Sequence, residues 1–153
     1  MNIVQASTAV HYTNAVSLFK AYAAWLNIDL AFQAFDAELL QLPQMYSLPQ
    51  GCILLAEVKH LFVGCVAIRK KAESIAELKR MYVQPNYLQQ GIGQALLAEA
   101  ILQATQLGYS KILLDTLANM LPAISLYKKF GFVQIPAYYY NPQPNAVFFE
   151  LIL

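Results

Sequence analysis

The stretch IAELKRMYVQPNYLQQGIGQ, residues 75–94, decides the fold. Residues 75–83 are mostly apolar or β-prone and read as a strand, and Pro85 with Asn86 marks a turn. From Gly91 onward, apolar residues recur at helical spacing (Ile92, Leu96, Leu97, Ile101, Leu102) until Gly108 stops the run. Residues 111–116 are again strand-like. A strand, a helix and a second strand in this order form a crossover unit, so the two strands lie parallel.

Outward from this unit, residues 61–69 and 52–58 flank the tight Lys59-His60 connection and read as a hairpin that pairs antiparallel with 75–83. Upstream, 3–5 is a short strand. Residues 9–26 carry apolar side chains at helical spacing (Val16, Phe19, Ala23, Leu26) behind the caps Ser7 or Thr8. A second helix is expected over 31–40, and Pro43 and Pro49 bracket a loop. Downstream, 122–129 is a short helix with Pro122 in its first turn and Gly131 past its end, followed by strands at 132–134 and 146–153. The expected fold is mixed α/β: antiparallel N-terminal strands and a parallel βαβ centre flanked by helices, in one domain over 1–153.

The 153 residues are 58% hydrophobic and 12% charged, with a formal net charge of +1, so a large core is available and no broad field attracts nucleic acid or anionic lipid. An anionic ligand must be held locally. Cys52 and Cys65 lie in apolar runs and read as reduced core thiols; with His11 and His60 far apart, no metal-ligand spacing exists and no metal is expected. No apolar run reaches the roughly 20 residues of a membrane span. The expected location is cytoplasmic, without membrane or nucleic-acid partners.

Gly91 and Gly93 at a helix start let a phosphate approach unpaired amides; they also suit a tight strand-to-helix turn and nothing more. A dinucleotide site of the Rossmann kind would need a third glycine where Leu96 stands. Asp115 reads as a strand-end residue capping a turn with Thr116.

Taken together, Ala76-Glu77-Leu78, Met81-Tyr82-Val83-Gln84-Pro85, Gln90-Gly91-Ile92-Gly93 and 123–132 (AISLYKKFGF) resemble the GNAT superfamily of acyl-CoA-dependent N-acetyltransferases in order and spacing. The resemblance implies acetyl-CoA as co-substrate. Its pyrophosphate would lie on the turn formed by Leu88, Gln89, Gln90, Gly91, Ile92, Gly93 and Gln94, and its pantetheine arm along Met81, Tyr82 and Val83 as an added strand would. Two positions depart from the family pattern: Leu88 stands where Gln or Arg is usual, and Met120 where many members carry Asn, with Asn119 adjacent.

The resemblance further places a carboxylate general base at Glu77, whose pKa burial would raise, and a phenol near the acetyl-CoA sulfur at Tyr127, able to serve as proton donor. Read as residues alone, Glu77 is equally an ion-pair partner of Lys79 or Lys111, and Tyr127 a core tyrosine. Strand alternation puts Glu77, Lys79 and Met81 on one face and Leu78, Arg80 and Tyr82 on the other. On that face Lys79 either orients an anionic acceptor such as a carboxylate or neutralises Glu77. Tyr22, Trp25, Phe32, Phe35 and the run 138–142 are candidates for core or for the walls of an acceptor pocket. The expected activity is acetyl transfer to the amine of a small molecule by direct attack in a ternary complex, by a monomer or homodimer. A protein N-terminus or lysine as acceptor, or a non-catalytic acyl-CoA-binding or sensing module, are the alternatives.

Overall fold

The structure, a computed structural model, describes residues 1–153. Seven strands form one sheet in the order β1-β2-β3-β4-β5-β7-β6. They are β1 (Asn2–Gln5), β2 (Cys52–Val58), β3 (Leu61–Ala72), β4 (Ile75–Val83), β5 (Lys111–Leu117), β6 (Val133–Ile135) and β7 (Ala146–Ile152). Every neighbouring pair is antiparallel except β4 and β5, because the helix α4 (Ile92–Gln106) returns the chain across the sheet between them. The fold is the mixed α/β arrangement that the sequence implies.

Local chemistry sets the element ends. The helix α1 (Ala9–Leu26) starts where the Thr8 hydroxyl accepts from the His11 amide and His11 Nδ1 accepts from the Thr8 amide, a reciprocal cap. The β2–β3 hairpin turns through Lys59 and His60, both at positive φ (49° and 67°), as the strand twist requires. Two apolar layers sandwich the sheet. On one face α4 and α5 (Leu121–Lys129) bury Leu54, Ile68, Leu78, Leu97 and Phe149; on the other, α1 and α3 (Leu42–Met45) bury Phe19, Tyr46, Ile53 and Leu55. Cys52 and Cys65 are buried and unbonded to each other.

Two expectations need correction. The helix expected over 31–40 is broken into a 3₁₀ turn, Ala31–Gln33, and α2 (Phe35–Leu39), with Ala34 between them at φ 54°. The stretch after Gln41 is not all loop, since Leu42–Met45 makes a turn of helix with Pro43 in it. The break swings Gln33 and Glu38 onto β4, where each bonds Arg80.

The second correction concerns the faces of β4. Cys65 pairs with Tyr82 but Ala67 pairs with Lys79, so three steps on β4 oppose two on β3, a bulge whose extra residue is Arg80 in the left-handed region (φ 57°). Alternation is therefore reset. Lys79, Arg80 and Tyr82 all lie on the α1 side, whereas Met81 and Val83 join Leu78 on the α4 side. Past the bulge β4 also parts from β5, because their pairing runs only from Ile75 opposite Lys111 to Glu77 opposite Leu113. The two strands splay from that point on.

Candidate active site

A cavity of about 570 Å³ occupies the splay, walled by 78–83 of β4, by Asp115, Thr116 and Leu117 of β5, by the turn into α4 and by the first residues of α5. Of the residues assigned from the sequence, Lys79, Met81, Tyr82, Val83, Leu88, Gln89, Gly91, Ile92, Gly93, Gln94 and Tyr127 line it. Gln90 does not, its side chain folding back to donate to the Asn86 carbonyl at 3.4 Å. Glu77 does not either.

The turn has the chemistry of an anion cradle. Gly91 caps α4 at φ 79°, a conformation that L side chains rarely adopt, and an atom placed at its Cβ position would meet nothing within 4 Å. None of the amides of Gln89, Gln90, Gly91, Ile92, Gly93 and Gln94 donates within the protein. These unpaired donors at the positive end of a fifteen-residue helix attract an anion. Leu88 and Gln89 add no charge, but Lys129 at the end of α5 donates to Gln94 Oε1 at 3.1 Å and brings an ammonium to the cradle's rim.

Tyr127 stands on α5 with its ring against Phe132 and Phe149. It is 5% exposed, and its hydroxyl bonds to no other side chain. Burial, with the phenol of Tyr22 and the Asp115 carboxylate nearby, pushes its pKa up, so it keeps its proton at any working pH. It is a hydrogen-bond donor facing the cavity. Asn119 and Met120 both line the same cavity just before α5, and the Asn119 amide oxygen accepts from Asn145 at 3.2 Å.

Glu77 is occupied elsewhere. Its carboxylate is 1% exposed and accepts from Arg69 Nε at 2.9 Å and Nη2 at 2.7 Å and from the Tyr138 hydroxyl at 2.7 Å, with Lys79 Nζ 4.0 Å away. Burial alone would raise its pKa, as the sequence reading expects. Lys79, the Tyr138 hydrogen bond and Arg69 outweigh that and hold the carboxyl below its ordinary value. Its ion-pair partners are Arg69 and, at 4.0 Å, the expected Lys79, while Lys111 pairs with Glu150 at 3.1 Å.

Behind the cavity lies a polar network that the sequence does not announce. Gln33 is its hub: its Oε1 accepts from Lys79 Nζ at 3.1 Å and Arg80 Nη1 at 2.6 Å, and its Nε2 donates to the Tyr139 hydroxyl at 3.0 Å. Tyr139 in turn donates to Asp115, as does Asn141 Nδ2 at 2.9 Å. Asp115 is thus a cavity-wall carboxylate anchored by the β6–β7 connection, and not a turn cap with Thr116. Arg80 is clamped by Glu38 through Nε at 2.9 Å and Nη2 at 2.8 Å and stacks over Phe35 at 5.1 Å. Of the candidate aromatics, Tyr22, Trp25 and Phe32 wall the cavity and Tyr140 is 84% exposed. The sequence carries a partial signal for these partners: Glu77, Lys79 and Arg80 in an otherwise apolar strand require opposite charges, but several acids, Glu38, Glu99, Asp115 and Glu150, stand in apolar surroundings and the spacing does not choose among them.

No cluster of three His, Cys, Asp or Glu side chains forms a metal site, and no helix is long and apolar enough to cross a membrane.

Residues 16–132 match the Acetyltransferase (GNAT) family. An uncharacterized N-acetyltransferase of Schizosaccharomyces pombe is 40% identical over 136 residues, covering 88% of this chain and 83% of that protein. Among solved structures, a Klebsiella pneumoniae protein described as an acyl-CoA N-acyltransferase is similar over 99% of this chain and 97% of its own, with a TM-score of 0.79 and 28% identity. A GNAT family acetyltransferase of Elizabethkingia anophelis, solved with acetyl-CoA bound, shares the fold over 99% of this chain and 97% of its own, with a TM-score of 0.69 and 21% identity.

Proposed function

This chain belongs to the GNAT family of acetyltransferases, and from that premise we propose that it moves the acetyl group of acetyl-CoA onto the amine of a small molecule, by direct attack within a ternary complex. One observation carries the reading. The splay of β4 from β5 joins, in one cavity, a row of unpaired amides at the start of α4 and a polar pocket holding Lys79 and Asp115.

The residues fit acetyl-CoA. Its pyrophosphate would rest on the amides from Gln89 to Gln94, with Lys129 supplying charge that Leu88 lacks. The β4 residues Met81, Tyr82 and Val83, unpaired toward β5, would hold the pantetheine amides as a neighbouring strand does. The thioester supplies the acyl group. Attack by a neutral amine forms the C–N bond and breaks the C–S bond; the amine gives up a proton and the sulfur gains one. Tyr127 donates a hydrogen bond to the leaving sulfur, a contribution of the kind that preorganised donors make where negative charge develops. Glu77, ion-paired away from the cavity, positions Lys79 and Tyr138 in this scheme and takes no proton.

A small acceptor is favoured over a protein chain because Gln33 and Tyr139 tie the α1–α2 segment to the β6–β7 connection beside Lys79 and Asp115. The test is incubation with acetyl-CoA and a panel of small amines, following thiol release and the masses of the products. Acetylated small amine is the expected result. Acetylation confined to peptides would overturn the small-molecule assignment, and tight acetyl-CoA binding without any acyl transfer would make the chain a binding module.

A further inference from the structure

The two strands that splay end their pairing at Glu77 opposite Leu113. Two residues further along each lie Lys79 and Asp115, which therefore share one face of the sheet on adjacent strands. Both line the cavity. Lys79 is 6% exposed, held by Gln33 and 4.0 Å from Glu77; Asp115 is held by Tyr139 and Asn141. The third charge on this wall, Arg80, already has Glu38 as its partner. A cation and an anion, each braced from behind and lining one cavity on adjacent strands whose pairing has ended, form a dipolar receptor.

We propose that the acceptor is a free amino acid, whose amine is received by Asp115 and whose carboxylate is received by Lys79. The inference rests on the acetyltransferase reading above and specifies its substrate. Asp115 stands on β5, the strand that runs on into α5 and Tyr127, and both residues line the cavity, so an amine held there sits on the α5 side of the receptor, where the acyl group is attacked. Lys79 lies on the opposite wall of the splay. The side chain of the amino acid would then face Tyr22, Trp25 and Phe32, which wall the same cavity, and that favours an apolar or aromatic residue. A protein N-terminus has the α-amine but no carboxylate one carbon away, so it satisfies Asp115 and leaves Lys79 buried without an anion from the substrate.

The experiment compares acceptors that differ only in the carboxylate: L-phenylalanine with phenethylamine and with L-phenylalaninamide, and L-tryptophan with tryptamine. Wild-type kcat/KM is expected to favour the carboxylate-bearing member of each pair by about 10- to 100-fold. In Lys79→Gln and Lys79→Met, that preference should fall toward one, mainly through a higher KM for the amino acid. Melting curves establish that the variants are folded, and the wild-type comparison stands without them. Equal use of both members by the wild type overturns the proposal while leaving acetyl transfer to amines intact. An equal loss for both members in the Lys79 variants also overturns it, because Lys79 would then act on the amine. Failure of every amine, with acetyl-CoA bound, defeats the enzymatic reading itself.

Discussion

Replacing Glu38 by Gln tests what holds the splay open. Arg80 occupies the left-handed region within a strand, a conformation that costs a non-glycine residue about 1–2 kcal/mol. It is kept there by two parallel hydrogen bonds to Glu38, at 2.9 and 2.8 Å, with Glu38 2% and Arg80 5% exposed. Gln preserves the shape and one acceptor, but it turns an N–H₂ group toward the guanidinium and removes the compensating charge. Breaking a buried pair on one side costs about 3–5 kcal/mol. At about 2–4 °C per kcal/mol for a chain of this size, melting should fall by roughly 6–20 °C. The second consequence is functional. If Arg80 relaxes toward extended geometry the bulge is lost, and Met81 and Tyr82 exchange faces of the sheet. The edge offered to the pantetheine arm changes, and acetyl-CoA affinity measured by calorimetry should drop with the melting temperature. Combining Glu38→Leu with Arg80→Gly removes both charges and lets glycine take the same φ, and this pair should recover most of the lost stability. A Glu38→Gln variant that melts within about 2 °C of wild type and binds acetyl-CoA equally would refute the clamp.

Tyr127→Phe removes a hydroxyl that bonds to no other side chain, so melting should shift little, while kcat falls by about 10²- to 10³-fold with acetyl-CoA affinity nearly unchanged; an unaltered kcat would return Tyr127 to the core. Gly91→Asp finds space for its side chain but strains the turn at φ 79° and sets a negative charge among the amides of the cradle, and acetyl-CoA affinity should fall at least about tenfold in a folded protein, further than in Gly91→Asn, which carries the strain without the charge; unchanged affinity would remove the turn from the site. Glu77→Gln should leave the acidic limb of the rate profile unchanged, since the carboxyl is held ionised and lies off the cavity; loss of an inflection there would restore it as the base. Its effect on stability has a definite sign. A carboxyl with lowered pKa stabilises the fold above its ordinary value of about 4.5, so the melting deficit of Glu77→Gln should be full at neutral pH and shrink as the pH falls below 4.5.

The elements with strong periodicity were legible. The first helix and the strand over 75–83 have the bounds the spacing predicts, and the turn residues from Leu88 to Gln94, Gln90 excepted, line the cavity. What was not legible depends on contacts distant in sequence. The run AFQAFDAELL contains no glycine or proline to announce the break at Ala34, which follows from placing Gln33 and Glu38 on Arg80, more than forty residues away. Nor does Arg80 advertise a positive φ, because a glycine or asparagine would be the usual residue there. Once that bulge is missed, counting by twos places Met81 with Lys79 and separates Arg80 from it. Asp115 looks like a turn cap from the sequence for the same reason: its partners Tyr139 and Asn141 arrive from a connection about two dozen residues on.

The distribution of charge connects the fold to the choice of substrate. The chain has only ten Lys and Arg and nine Asp and Glu, and it draws Arg69, Lys79 and Arg80 together with Glu38, Glu77 and Asp115 into the region where β4 leaves β5. Placing scarce charges inside costs stability unless each is compensated, so a structural role alone does not account for them. Arg80 answers Glu38, and Arg69 answers Glu77, which Lys79 also approaches to 4.0 Å; Lys79 and Asp115 make no direct contact with each other and stand on the two strands that part. A ligand that is only a cation satisfies Asp115 and adds an uncompensated charge to a region that is otherwise balanced. One that is only an anion does the reverse at Lys79. A zwitterion brings one charge of each sign and leaves the sum unchanged, and during the reaction only its amine end changes charge. The carboxylate keeps its hold on Lys79 while the ammonium beside Asp115 loses one proton to solvent to become the attacking amine and a second to the departing sulfur, so the acceptor stays anchored through the step in which its other contact must weaken.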